Sequence, residues 1–217
     1  MLDASQKITM DDLNQIASEV RVCQKCPLAA TRIKAVPGEG PHNAEVLLIG
    51  EGPGFNEDKQ GRPFIGASGQ FLTELLAGAG YKREEVFITN VVKCRPPENR
   101  DPQPKEIEAC SEYLQRQIAL INPKVIVTLG RFSMAHYFPG AKISAIHGQA
   151  KMVDGRAIVA MFHPAAALHQ PALRESITND FRKLKEIIAS VNQKPAAKVE
   201  PSPAQDDDGG DAQLSLF

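Results

Sequence analysis

The sequence predicts an α/β fold, a three-layer α/β/α sandwich around a mostly parallel four-stranded central sheet. Three observations predict it. Short apolar runs end on glycine or a polar residue, as buried parallel strands do. Amphipathic stretches of helical length separate those runs. With 217 residues the chain has ample material for one sizeable core plus extras. Strands joined in series by helices form a parallel sheet with helices on both faces.

The elements follow in order. Thr9-Met10-Asp11-Asp12 resembles an N-terminal cap, and Leu13, Ile16, Ala17 and Val20 then recur at helical spacing, leading into Cys23. After the Gly/Pro-rich stretch from Pro37 to Pro41, Glu45 to Ile49 forms an apolar run closed by Gly50, the first strand. Gly69 to Ala79 carries Phe71, Leu72, Leu75 and Leu76 on one face, with Gly80 as its stop. Val86 to Thr89 is the second strand. Pro104 opens a helix whose inward stripe is Ile107, Cys110, Leu114, Ile118 and Ile121. Lys124 to Leu129 is the third strand, and residues 131–138 form a short helix. Asp154-Gly155 is a hairpin turn between residues 150–153 and 157–161, and the second arm supplies the fourth strand. A last helix spans Leu173 to Val191. Residues 1–192 are thus read as the folded domain, 193–212 as a flexible acidic linker and 213–217 as a separate peptide.

Composition narrows the class. Hydrophobic residues make up 42% and charged residues 24%, and no apolar run approaches the roughly 20 residues that cross a bilayer. The N-terminus has no basic patch followed by an apolar stretch, so a cytoplasmic protein is the expectation; a monomer is expected as well. The net charge of −1 hides an uneven distribution: from Pro195 to Phe217 one base faces five acids, leaving +3 on the remaining 194 residues. That balance permits contact with a phosphate backbone without demanding it.

In doubly wound folds ligands bind beyond the carboxyl ends of the strands. Three motifs converge on that rim: Gly50-Glu51-Gly52-Pro53-Gly54 after the first strand, Asn90 after the second, and His163-Pro164 after the fourth. The glycine loop lacks the Gly-Lys-Ser/Thr ending and the Gly-x-Gly-x-x-Gly spacing of nucleotide loops. Its neighbours Glu51, Glu57 and Asp58 suit a site that handles water or a developing cation; a tight turn with solvated acids is the plainer alternative. His163 directly follows an apolar run and precedes a proline that fixes the turn. His42, His136, His147 and His169 read as ordinary surface or internally bonded residues. Asn90 either ends a strand or reads a nucleobase edge through paired hydrogen bonds worth about 1–3 kcal/mol. In the sequence 67 residues separate Cys23-x-x-Cys26 from Cys94, and 15 separate Cys94 from Cys110. In a reducing compartment such a set suits zinc or an iron–sulfur cluster, or Cys110 alone fills its helix stripe.

Taken together and in order, Gly50 to Gly54 with Glu57-Asp58, Gly61-Arg62-Pro63-Phe64, Thr89-Asn90, His163-Pro164-Ala165 and the four cysteines resemble the family 4 uracil-DNA glycosylases, over about residues 20 to 188. The resemblance implies excision of uracil from single- and double-stranded DNA in base excision repair, leaving an abasic site, and a [4Fe–4S] cluster on Cys23, Cys26, Cys94 and Cys110. By the same resemblance Phe64 is the stacking platform, Asn90 the amide reading uracil N3 and O4, and Glu57 the wall against a thymine methyl. His163 is the donor to uracil O2. Glu51, with the Gly52 backbone, positions the water, and Leu168 is the wedge that replaces the flipped base. Lys93, Arg95 and Arg100 are expected to grip phosphates. Gly52 and His169 stand where relatives often carry alanine and a basic residue, which bears on turnover and substrate range. No lysine is placed as a Schiff-base nucleophile, so strand cleavage is not expected. Gln213-Leu214-Ser215-Leu216-Phe217 resembles the peptide with which bacterial proteins dock on the replication sliding clamp, on a linker spanning roughly 25 Å; that places the protein with the nucleoid. The rival reading is a non-catalytic, cluster-bearing DNA-binding module recruited by the clamp.

Overall fold

A computed structural model describes residues 12–193. Asp12 caps the first helix by accepting the Gln15 N–H at 2.6 Å. That helix, α1 (Leu13–Val22), buries Leu13, Ile16 and Val20 on one face. A turn through the first two cysteines leads to α2 (Leu28–Thr31). The chain then alternates: β1 (Val46–Gly50), α3 (Phe55–Gln60), α4 (Ala67–Gly78), β2 (Phe87–Asn90), α5 (Pro104–Ile121), β3 (Val125–Leu129), α6 (Arg131–Ala135) and α7 (Ile143–Ile146). It closes with β4 (Gln149–Val153), β5 (Arg156–Met161), α8 (Ala166–His169), α9 (Leu173–Arg182) and α10 (Leu184–Gln193). Pro104 stands at the first position of α5, where its missing N–H costs nothing.

The sheet has five strands in the order β2-β1-β3-β5-β4, and its first four are parallel. The fifth corrects the four-stranded expectation: both arms of the hairpin join, β4 pairing antiparallel with β5 at the edge. Its residues Gln149 to Met152 are exposed, so it carries no apolar run, and Lys151 marks it as a protected edge. Asp154 (φ 49°) and Gly155 (φ 76°) supply the two left-handed positions that this tight turn requires. The helix expected from 173 to 191 breaks at Lys183, whose N–H bonds Asp180 O at 3.2 Å, a tightened turn between α9 and α10.

Alternation along the strands divides the core. Val46, Leu48, Val125 and Val127 face α4, α9 and α10, packing against Phe71, Leu72, Leu76, Phe181 and Leu184. Leu47, Ile49, Ile126 and Ile158 face α1 and α5, where Ile16, Val20, Tyr113 and Ile121 complete the layer together with Cys94 and Cys110. Each fully buried aliphatic side chain contributes roughly 1.5–3 kcal/mol. The parallel strands therefore sit immobile between two helical layers, and their carboxyl ends share one edge.

Candidate active site

At that edge the backbone of β1 stops on Gly50, in register with Asn90 at the end of β2. The pairing needs glycine: a Cβ on Gly50 would stand 2.4 Å from Asn90 Oδ1 and 2.6 Å from the Phe64 ring. Phe64 and Asn90 thus close on the space that a side chain at position 50 would fill. Around them opens a cleft of about 540 Å³, lined by Glu51 to Gly54 on one side and by His163, Ala165 and Ala166 on another.

Phe64 adopts a left-handed backbone conformation (φ 50°), which costs a non-glycine residue about 1–3 kcal/mol and persists only when the surroundings impose it. Three groups impose it. Arg83 donates to Pro63 O at 2.5 Å and Phe64 O at 3.0 Å. Glu57 Oε1 accepts the N–H groups of Ile65 and Gly66, each at 2.9 Å. Gly69 in α4 lets the loop press against the helix, since a Cβ there would lie 1.9 Å from Phe64 O. The Phe64 ring is 5% exposed and lies 5.4 Å from the His163 ring, the planes 28° apart.

His163 sits two residues beyond β5. Burial lowers its pKa to about 4, against the opposing pull of Glu57. The Ala165 N–H donates to its Nδ1 at 3.1 Å, so the neutral ring carries its proton on Nε2. Glu51 is half-buried; burial first, then Asp101, raises its pKa, while Arg131 opposes. The Glu51 carboxyl therefore titrates above its ordinary value. Asn90, 1% exposed, leaves Oδ1 without a hydrogen-bond partner. A buried unpaired acceptor costs about 1–3 kcal/mol, which a ligand N–H recovers.

Glu51, Gly52, Glu57, Phe64, Asn90 and His163, remote in the chain, line this one cleft. Leu168, 45% exposed on α8, stands between the cleft-lining residues Ala166 and His169. His169 therefore belongs to the site rather than to the general surface. Lys93 corrects the sequence reading: it is 1% exposed and donates to Thr89 Oγ1 (2.6 Å), Gln117 Oε1 (2.7 Å) and the Asn90 carbonyl (2.8 Å), so no phosphate reaches it. Arg100 is engaged by Glu106 through two bonds of 2.7 and 2.9 Å. Sequence reasoning missed Asn99 and Asp101, which line the cleft from the loop after β2. Their signal was present in Pro96-Pro97 and Pro102, which bracket a non-helical loop at the same rim.

The four cysteines stand apart from the cleft, lining one small cavity with Leu28, Val92 and Tyr113. All four are free thiols. N–H groups point at three of the sulfurs: Lys93 N to Cys110 (3.3 Å), Arg32 Nη1 to Cys94 (3.3 Å) and Lys25 N to Cys23 (3.5 Å). Burial pushes the Cys94 thiol up to about 11 and raises Cys110 as well. Among the described residues no three His, Cys, Asp or Glu groups gather closely enough for a single metal ion. Four soft donors framing a hollow, with N–H groups aimed at the sulfurs, fit an iron–sulfur cluster.

A doubly wound sheet whose carboxyl edge holds a cleft with an aromatic wall and an unpaired amide oxygen at its floor defines an α/β protein with a ligand site at that edge. Sequence comparison gives that class its particular member. Residues 37–190 match the uracil DNA glycosylase superfamily, to which the chain belongs. It is 50% identical over 188 residues to the type-4 uracil-DNA glycosylase of Sulfurisphaera tokodaii, covering 82% of this chain and 86% of that one. Its likeness to the type-4 enzyme of Archaeoglobus fulgidus is 46% over 187 residues (82% and 94%), and to that of Thermotoga maritima 43% over 186 residues (83% and 97%).

Proposed function

We propose that this protein is a monofunctional uracil-DNA glycosylase of base excision repair, hydrolysing the N-glycosidic bond of an extruded uracil and leaving an abasic site. The observation that carries the reading is the unpaired Asn90 Oδ1 at the foot of an aromatic wall. Uracil N3–H donates to that oxygen, and the Asn90 amide N–H donates to O4. Cytosine offers an acceptor at N3 and a donor at N4, so both bonds fail and buried groups are left unpaired. Phe64 stacks on the ring, and Glu57 crowds the place of a thymine methyl group.

Extruding the base costs a few kcal/mol, least where it is mispaired or single-stranded. Leu168 then fills the hole in the stack. The C1′–N1 bond breaks with its electron pair passing to uracil N1 and O2, where the neutral His163 Nε2–H donates to the developing anion. The half-buried Glu51 carboxylate faces the sugar cation and takes a proton from water as the water oxygen bonds to C1′; the Gly52 backbone helps hold that water. Lys93, committed to three acceptors behind Asn90, offers no amine nucleophile.

Cys23, Cys26, Cys94 and Cys110 would hold a [4Fe–4S] cluster, which supplies a structural crosslink when bound. These residues tie the segment after α1 to the segment after β2, through Cys94, and to α5, through Cys110. The expected clamp-binding peptide, Gln213, Leu214, Ser215, Leu216 and Phe217, and residues 194–212 of the linker before it lie outside the described residues, while Gln193, expected to open the linker, still belongs to α10. We read them as a tether to the replication clamp; deletion of 213–217 removes clamp binding and leaves excision from short oligonucleotides unchanged. The deciding experiment incubates the purified chain with single-stranded uracil oligonucleotides. Free uracil and an intact abasic strand are the expected products, with DNA binding but no release as the outcome that favours the non-catalytic module. Iron and sulfide analysis of the same sample tests the cluster.

A further inference from the structure

The rim of the cleft carries one aromatic ring that the excision chemistry leaves unused. Phe55 begins α3 directly after Gly54, which lines the cleft, and its side chain is 51% exposed. Two cations stand over the ring, Lys59 Nζ and the Arg95 guanidinium, each 5.2 Å from its centre. Arg95 is in turn fixed by donating from Nε to Asn99 Oδ1 at 2.7 Å, and Asn99 lines the cleft. At 5.2 Å both cations lie toward the far end of the cation–π range of about 6 Å, and half of the ring still meets water. Exposed aromatic rings flanked by cations along a groove are the means by which proteins hold single-stranded nucleic acid without reading its sequence.

We propose that Phe55, with Lys59 and Arg95, forms a stacking platform for an unpaired DNA base beside the extruded uracil, a second nucleotide subsite on the rim; the proposal rests on the uracil-excision reading. Topology supports it. Phe55 and Arg95 come from the segments after β1 and β2, whereas Leu168 follows β5, on the far side of β3 in the sheet. A strand crossing the cleft therefore meets the wedge on one flank and the platform on the other. The incoming base takes one face of the ring, and the cation that covered that face moves to the adjoining phosphate. In a duplex the neighbouring base stays in its pair, so the platform acts on single strands.

The test compares Phe55→Ala, Phe55→Leu and Phe55→Tyr in the full chain, each with its thermal midpoint checked against the native protein. Substrates are single-stranded uracil oligonucleotides in which each neighbouring base in turn is replaced by an abasic analogue. Alanine and leucine should lower kcat/KM about tenfold on intact single strands, tyrosine should retain it, and duplex substrate should be unaffected. Removing one particular neighbouring base should cost the native chain the same tenfold and Phe55→Ala nothing further. Alanine within twofold of native on every single strand, or a loss that persists whichever base is removed, overturns the proposal. Should the native chain release no uracil, the excision reading fails by itself. Fluorescence anisotropy with an undamaged labelled single strand still decides the platform: about tenfold weaker binding by Phe55→Ala supports it, and equal binding overturns it.

Discussion

Phe64 and Asn90 at the floor of the cleft are buried, whereas Phe55 and Leu168 at its rim are half exposed. The Phe64 loop alone is gripped by Arg83, Glu57 and the close approach of Gly69. The difference teaches where rigidity is needed. Recognition of a small planar base depends on donor and acceptor placement within fractions of an ångström, since a displacement of about 1 Å can cost roughly a hundredfold in rate. Contact with a flexible strand asks only for area and charge.

If the floor is preorganised, changes there should be costly in rate and changes at the rim mild. The largest effect is expected from Glu51→Gln, a loss of about 10²–10⁴ in kcat. Because burial raises the Glu51 pKa, the acid limb of the native pH–rate profile should lie higher in pH than an ordinary glutamate would put it, and the variant should lose that limb. Gly50→Ala comes next: its methyl displaces Asn90 and Phe64, lowering kcat/KM about a hundredfold and stability by roughly 1–3 kcal/mol in a denaturant titration. A rate within threefold of native would show that the floor yields. Lys93→Met leaves acceptors on Thr89, Gln117 and Asn90 short of a donor, and unfolding should ease by about 2–3 kcal/mol; no change would mean that desolvation of the ammonium already cancels those bonds.

His163 sharpens the same comparison through pH. Its folded pKa is about 4 against an ordinary value of 6.5, so between these pH values the unfolded chain binds the extra proton. Native stability should therefore fall as pH drops from 6.5 to 4, and His163→Gln should flatten that slope in thermal scans. The smallest effect is expected at the rim. Leu168→Ala should slow excision several-fold on duplex DNA and hardly at all on single strands, where no stack needs filling. Equal losses on both substrates would place Leu168 with the floor instead.

The strands were legible because each is an uninterrupted apolar run with a polar or glycine stop, and that legibility carried over to Asn90 and His163, which simply follow two of those runs. Phe64 was placed by resemblance alone, for its loop has no periodicity and its fixing partners Arg83 and Gly69 lie 19 and 5 residues away. The arm Gln149–Val153 was legible as half of a hairpin but not as a fifth strand of the sheet, because an exposed edge strand need not be apolar. Lys93 was misplaced since charge normally signals solvent; only the three acceptors gathered by the fold make its burial tolerable. Phe55 gave no signal, being one ring whose cationic neighbours come from two separate segments.

The stretch from Asn90 to Cys94 contains no exposed residue, and it leads from the unpaired amide of the cleft, through the bends that follow β2, to a thiol of the second cavity. The amide of the cleft and a sulfur of the cysteine cavity thus share one buried five-residue segment, so a substitution in its interior bears on both places at once.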